Sequence, residues 1–142
     1  MRLVLDASVT VKWLVVEEDA DVARELATSG QDLHAPRQMA AEIANALWRK
    51  AQSGEIERRA ADILMANVSD MPVHWGVDEL FADDAMRLAL ALDYPVYDYV
   101  YLALAHRIGA TVVTADRRFA AAVALTEHGE SVLTLADYAA AQ

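Results

Sequence analysis

The chain has 142 residues, of which 56% are apolar, enough to bury a core of the kind a domain of this size forms. Twenty-two acidic residues against twelve basic ones leave a formal net charge of −10, which disfavours non-specific binding of nucleic acid, a process that depends on cations meeting phosphates. The absence of cysteine excludes disulfides and thiolate metal sites and fits a reducing cytoplasm. "MRLVLDASV" does not read as a signal peptide and no run of about 18 apolar residues occurs, so no membrane is expected among the partners.

In chain order, "RLVL" (2–5) is a compact strand ended by Asp6, after which "VKWLVV" opens a helical turn. "DADVARELATSG" (19–30) carries Val22, Ala23, Leu26 and Ala27 at helical spacing and stops at Gly30. "DLHAP" (32–36) is a short strand closed by Pro36. A helix over 37–54 puts Met39, Ile43, Ala46 and Leu47 on its apolar face, with Gln38, Glu42, Asn45, Arg49 and Gln52 as a polar stripe. A helix is expected over 55–70, a strand at "MPVHW" (71–75), and a helix over 77–92. "YPVYDYVYLALAHRIGA" (94–110) is a further helix with Asp98 where the helical run begins. "GATVVTAD" (109–116) is a β-branched strand ended by Asp116, "FAAAVAL" (119–125) a short helix, "SVLTL" (131–135) a last strand, and "ADYAAAQ" a polar-capped tail.

Short apolar strands alternating with helices define an α/β fold, a parallel sheet covered by helices on both faces. Ligands of such sheets bind beyond the carboxyl ends of the strands, where Asp6 and Asp116 fall. Asp98 at a helix start and Glu42 beside an apolar helix face can join them in one pocket. Each aspartate taken alone also reads as a helix N-cap, and Glu42 as an ordinary solvated residue. Converging carboxylates repel one another, so a shared pocket calls for protonation or for cations. Oxygen ligands without Cys or clustered His favour Mg²⁺ or Mn²⁺.

Together, "LVLDASVTVKWL" (3–14), "AEIANALWRKAQSGEI" (41–56), "VYDYVYLALAHRIGATVVTADRRF" (96–119) and "SVLTL" (131–135) resemble the PIN-domain family, in particular the VapC toxins of type II toxin–antitoxin modules. The resemblance runs through essentially the whole chain, in order, and implies a single PIN-like domain spanning 1–142. It implies a Mg²⁺- or Mn²⁺-dependent endoribonuclease whose metal-binding quartet is Asp6, Glu42, Asp98 and Asp116. Thr114 supports that quartet, as do Ser8 and Asn45 by similar placement. The implied partners are a VapB-like antitoxin, an RNA substrate and a second copy in a homodimer, with a cytoplasmic location.

Arg117 and Arg118, directly after Asp116, are candidates for gripping RNA phosphates, with Arg49 and Lys50 similar. His34, His74, His106 and His128 show no ligand spacing, and Trp13, Trp48 and Trp75 read as packing or contact residues. Two rival readings are a haloacid-dehalogenase-like phosphatase and a non-catalytic acidic interaction module. The phosphatase needs a second acid two residues after the first, where this chain has Ser8.

Overall fold

A computed structural model describes residues 1–142. The chain runs β1 (Arg2–Leu5), α1 (Ala7–Thr10), α2 (Ala20–Ala27), β2 (Asp32–Ala35), α3 (Gln38–Gln52), α4 (Arg58–Met65), β3 (His74–Trp75), α5 (Ala82–Leu92), α6 (Val96–Ile108), β4 (Thr111–Thr114), α7 (Arg117–Ala124), β5 (Val132–Thr134) and α8 (Leu135–Ala140). The five strands form one all-parallel sheet in the order β3-β2-β1-β4-β5. After β1 the chain builds outward on one side through β2 and β3, then returns to β1's other flank as β4. The sheet therefore has a topological switch point between β1 and β4, where such sheets hold ligands.

Alternation along the strands divides the core between the two faces. Leu3, Leu5, Leu33 and Val113 pack with Ala23 and Leu26 of α2 and Leu135 and Tyr138 of α8. Val4 and Val112 face the opposite way, toward Met39, Ile43 and Leu47 of α3 and the long apolar run of α6. Seven consecutive α6 residues, Tyr99 to Ala105, are buried, so α6 is apolar all round because it lies inside. It ends at Gly109, whose φ of +65° is the left-handed conformation that suits a glycine C-cap. No helix is long and apolar enough to cross a membrane.

Three expectations are corrected. The helix expected over 55–70 is only α4, because Glu57 is extended at its start and the chain beyond Met65 tightens into one 3₁₀ turn, Val68–Asp70. The expected tail is α8, capped by the Thr134 side chain, which accepts from the Asp137 N–H, and anchored by buried Tyr138. The third concerns Asp98: α6 begins at Val96 with Pro95 as its N-cap, so Asp98 is its third residue and caps nothing. The α3 N-terminus is closed from a distance. The Asp78 carboxylate accepts from the Arg37 and Gln38 N–H groups at 2.7 and 2.9 Å.

A candidate metal centre at the switch point

Beyond the carboxyl ends of β1 and β4 lies a cleft of about 690 Å³. Asp6, Glu42, Asp98 and Asp116 all line it, together with Ser8 and Asn45. Four acids from distant parts of the chain are thus brought to one place. Of the three aspartates that read equally well as caps, only Asp116 is one: its Oδ1 accepts from the Arg118 and Phe119 N–H groups at 2.9 and 3.2 Å. Asp6 occupies the cap position of α1 without a capping hydrogen bond.

Asp6 is instead held by hydroxyls. Its backbone N–H continues the sheet ladder to the Val113 carbonyl at 3.1 Å, which fixes the Cα at the strand end. Ser8 Oγ and Thr114 Oγ1 each donate to Asp6 Oδ2 at 2.7 Å. Each hydroxyl in turn accepts a backbone N–H: Ser8 from Ala115 at 2.9 Å, Thr114 from Asp116 at 3.0 Å. Both hydroxyl protons are thereby committed to Asp6, so the 3.3 Å approach of Ser8 Oγ to Thr114 Oγ1 is a contact between two donors already in use. Asn45 lines the cleft but takes part in none of the hydrogen bonds of this cradle.

Glu42 is positioned from α3. Its Oε1 accepts from Gln38 Nε2 at 2.7 Å, and the same nitrogen donates to the Tyr97 carbonyl at 2.6 Å, tying α3 to the first turn of α6. The i, i+4 spacing of Gln38 and Glu42 places both on one helix face. Asp98 rides on the most deeply buried helix of the molecule, which gives its carboxylate a fixed base.

The electrostatics follow from crowding and burial. Burial drives the Asp6 pKa upward, with Asp116 adding to it, while the Thr114 and Ser8 hydrogen bonds pull the other way without cancelling it. Glu42 is pushed up to about 7, chiefly by burial and then by the Asp6 charge, with Asp98 a smaller contributor. Asp98 is pushed up to about 6 by burial, then by Asp6 and Asp116.

In the protein alone, no three Asp, Glu or His side chains are placed to hold a metal ion. The donor chemistry nonetheless fits a hard divalent cation. The carboxylates offer only oxygen, and three of them are held in a state that positive charge would relieve. A buried hydroxyl lies alongside. Tyr101 is fully buried, and its hydroxyl lies against Glu42 without a hydrogen bond of good geometry, close enough to Glu42 and Asp6 to feel both charges.

Sequence reasoning missed Tyr101, although a signal was present: it stands three residues after Asp98 and so on the same face of α6. Replacing it by phenylalanine is expected to leave the metal-free fold at least as stable, because an unpaired buried hydroxyl is removed. Mn²⁺ affinity, measured by titration calorimetry, is expected to fall by about tenfold, because the hydroxyl beside Glu42 is free to donate to that carboxylate once a cation keeps it ionised.

The arginines after Asp116 lie to one side. Neither Arg117 nor Arg118 lines the cleft, and Arg117 borders an adjoining hollow with Thr134 and Leu135. The histidines, by contrast, pair in space: His34 with His74 at 5.0 Å between ring centres, and His106 with His128 at 4.9 Å. Both pairs stand outside the acidic cleft.

A parallel sheet in this order with acids at its switch point is the architecture of a PIN domain, and residues 3–125 match the PIN-domain family model; the chain belongs to that family. Its sequence relatives carry the VapC name. It is 35% identical over 124 residues to Ribonuclease VapC3 of Pyrobaculum aerophilum, a match covering 84% of this chain and 93% of the relative. Its fold is similar to the crystal structure of PAE2754 from Pyrobaculum aerophilum, with a TM-score of 0.74 at 23% identity over 100% of this chain and 97% of the other. It is also similar to Mycobacterium tuberculosis VapC20, described as a Sarcin-Ricin loop cleaving toxin, with a TM-score of 0.65 at 19% identity over 84% and 94% of the two chains. VapBC2 from Rickettsia felis, solved bound to a DNA fragment from its promoter, gives a TM-score of 0.60 at 10% identity over 94% and 98%.

Proposed function

We propose that this chain is the toxin of a type II toxin–antitoxin pair, a Mg²⁺- or Mn²⁺-dependent endoribonuclease acting in the cytoplasm. The observation that carries this reading is the meeting of Asp6, Glu42, Asp98 and Asp116 in one cleft at the switch point of the sheet. The names of the VapC relatives support the ribonuclease class, and the VapBC2 structure supports an antitoxin as partner.

In this reading Asp6 and Asp98 hold the principal cation, and Glu42 and Asp116 complete the site. When bound, the cation supplies an activated water and offsets the negative charge that builds on the phosphate. The chain's own residues prepare for this. Ser8 and Thr114 preset Asp6 by holding Oδ2, so that no side chain occupies Oδ1. The Arg118 and Phe119 N–H groups fix Asp116 through Oδ1. Gln38 fixes Glu42 relative to α6. Without a cation Glu42 retains its proton up to about pH 7, and binding of positive charge releases it. No side-chain nucleophile is needed, and the products carry a 5′-phosphate and a 3′-hydroxyl. A homodimer would extend the surface open to RNA.

The test is regulated expression of the wild type and of Asp98→Asn without antitoxin, followed by mapping of newly formed RNA 5′ ends. Growth arrest with site-specific new ends in the wild type alone is expected. Identical ends in both strains would remove Asp98 from the site. Arrest without any new ends would favour the non-catalytic interaction module instead.

A further inference from the structure

The cleft is asymmetric. Along α3 its lining runs from Gln38 and Glu42 through Asn45 to Arg49 and Lys50, and Lys12 faces the same space from the turn after α1. One end is therefore anionic and the other cationic. The cations are built in rather than scattered. Lys12, only 8% exposed, donates to Glu17 Oε1 at 3.2 Å and to the Glu18 carbonyl at 2.7 Å. Lys50 donates to Glu17 Oε2 at 2.6 Å and to Glu55 Oε2 at 3.2 Å. Burial works against the Glu17 charge, but the hydrogen bonds from Lys50 and Lys12 outweigh it and hold its pKa below the usual carboxylate range.

Glu17 and Glu55 thus balance the two lysines and tie the turn after α1 to the end of α3. Arg49 is different: it lines the same cleft, is exposed, and takes part in none of the molecule's ion pairs. It is the cleft's uncompensated positive charge. Seven residues separate it from Glu42, about 10 Å along the helix axis. A phosphate reaching Arg49 is a neighbour of the one at the acids.

We infer that the cationic end of the cleft is a backbone-binding site for the RNA strand, in which Arg49 contacts a phosphate flanking the scissile one and the Lys12–Glu17–Lys50 network provides a rigid floor. This rests on the ribonuclease reading above and adds to it the path of the strand, along α3 rather than across Arg117 and Arg118. Contacts to phosphate set register without reading sequence. Although the chain's net charge is −10, Arg49 gives this end of the cleft a local positive charge that a phosphate can meet.

The test uses the full-length protein carrying Asp6→Asn to prevent cutting, Mg²⁺, and a fluorescein-labelled 12-nucleotide single-stranded RNA. Anisotropy is read across a salt series. Adding Arg49→Gln is expected to flatten the slope of log K against log salt by about 0.7, equivalent to binding roughly eightfold weaker at 50 mM salt. Arg49→Lys is expected to restore the slope, since a lysine also meets a phosphate. An unchanged slope in Arg49→Gln overturns the inference, and so does a loss of slope in Arg118→Gln alone. The failures are separable: if the RNA binds and the wild type cuts it, but Arg49→Gln changes nothing, only the strand path falls. If the RNA neither binds nor is cut, the ribonuclease reading falls with it.

Discussion

Asp6→Asn is expected to lower metal-dependent RNA cleavage on the order of 10³-fold while leaving the metal-free protein as stable as the wild type or more so. The two halves of this expectation come from the same geometry. Asp6 Oδ2 accepts two hydroxyl hydrogen bonds at 2.7 Å, and an asparagine oxygen can accept both in its place. The Ser8 and Thr114 cradle and the β1–β4 junction therefore survive the change. What is lost is a negative charge that burial and Asp116 already oppose, and that the proposed function uses to attract a cation. Thermal melting and a cleavage assay on one preparation check both halves. A variant that melts well below the wild type would mean that Asp6 is structural; one that cuts at the wild-type rate would remove it from the metal site.

The second large effect is on pH and divalent cations together. Glu42 and Asp98 bind their protons more tightly in the folded chain than in the unfolded one, with folded values of about 7 and about 6. Their contribution to stability is therefore complete below the unfolded carboxylate range and is lost as pH rises through 6 and 7. The metal-free protein is expected to be less stable at pH 8 than at pH 5, by roughly 1–3 kcal/mol once solvent screening of these half-exposed groups is allowed for. Adding Mg²⁺ or Mn²⁺ at pH 8 is expected to recover the loss, since a ligand at one hundred times its Kd stabilises by about 2.7 kcal/mol. At pH 5, where protons compete for the same oxygens, the cation is expected to do much less. Melting curves at both pH values with and without the cation check this. A cation-induced rise of equal size at pH 5 and pH 8 would refute it.

The strand-end acids were the most legible part of the site. Asp6 and Asp116 end apolar runs, and the rule that places ligands beyond parallel strands needs nothing further to bring them together. Asp98 was legible as a candidate but not in its local role. Proline suits either the first helical position or the cap, so the pattern did not show that α6 starts before Asp98 and leaves its carboxylate free. Other features depend on packing between distant elements: the Gln38 bridge to Tyr97, the inward Tyr101 hydroxyl, and the sharing of Glu17 by two lysines. Only Tyr101 has a local signature, its i, i+3 spacing from Asp98; the other two have none. The pairing of the histidines escaped for the same reason, because His34 and His74 meet only through strand register. The helix expected over 55–70 shows the opposite error, in which helical composition extended a segment that the backbone ends at Met65.

The hydrogen bond from Thr114 to Asp6 joins residues 108 positions apart. Chains emerge from the ribosome N-terminus first, at about 5–20 residues per second, so Asp6 waits roughly 5–20 s before its partner is even synthesised. Until then β1 lacks its β4 neighbour, the Ser8–Thr114 cradle does not exist and one of the four acids is missing. A ribosome making this chain therefore faces an incomplete site for most of the time it spends on it.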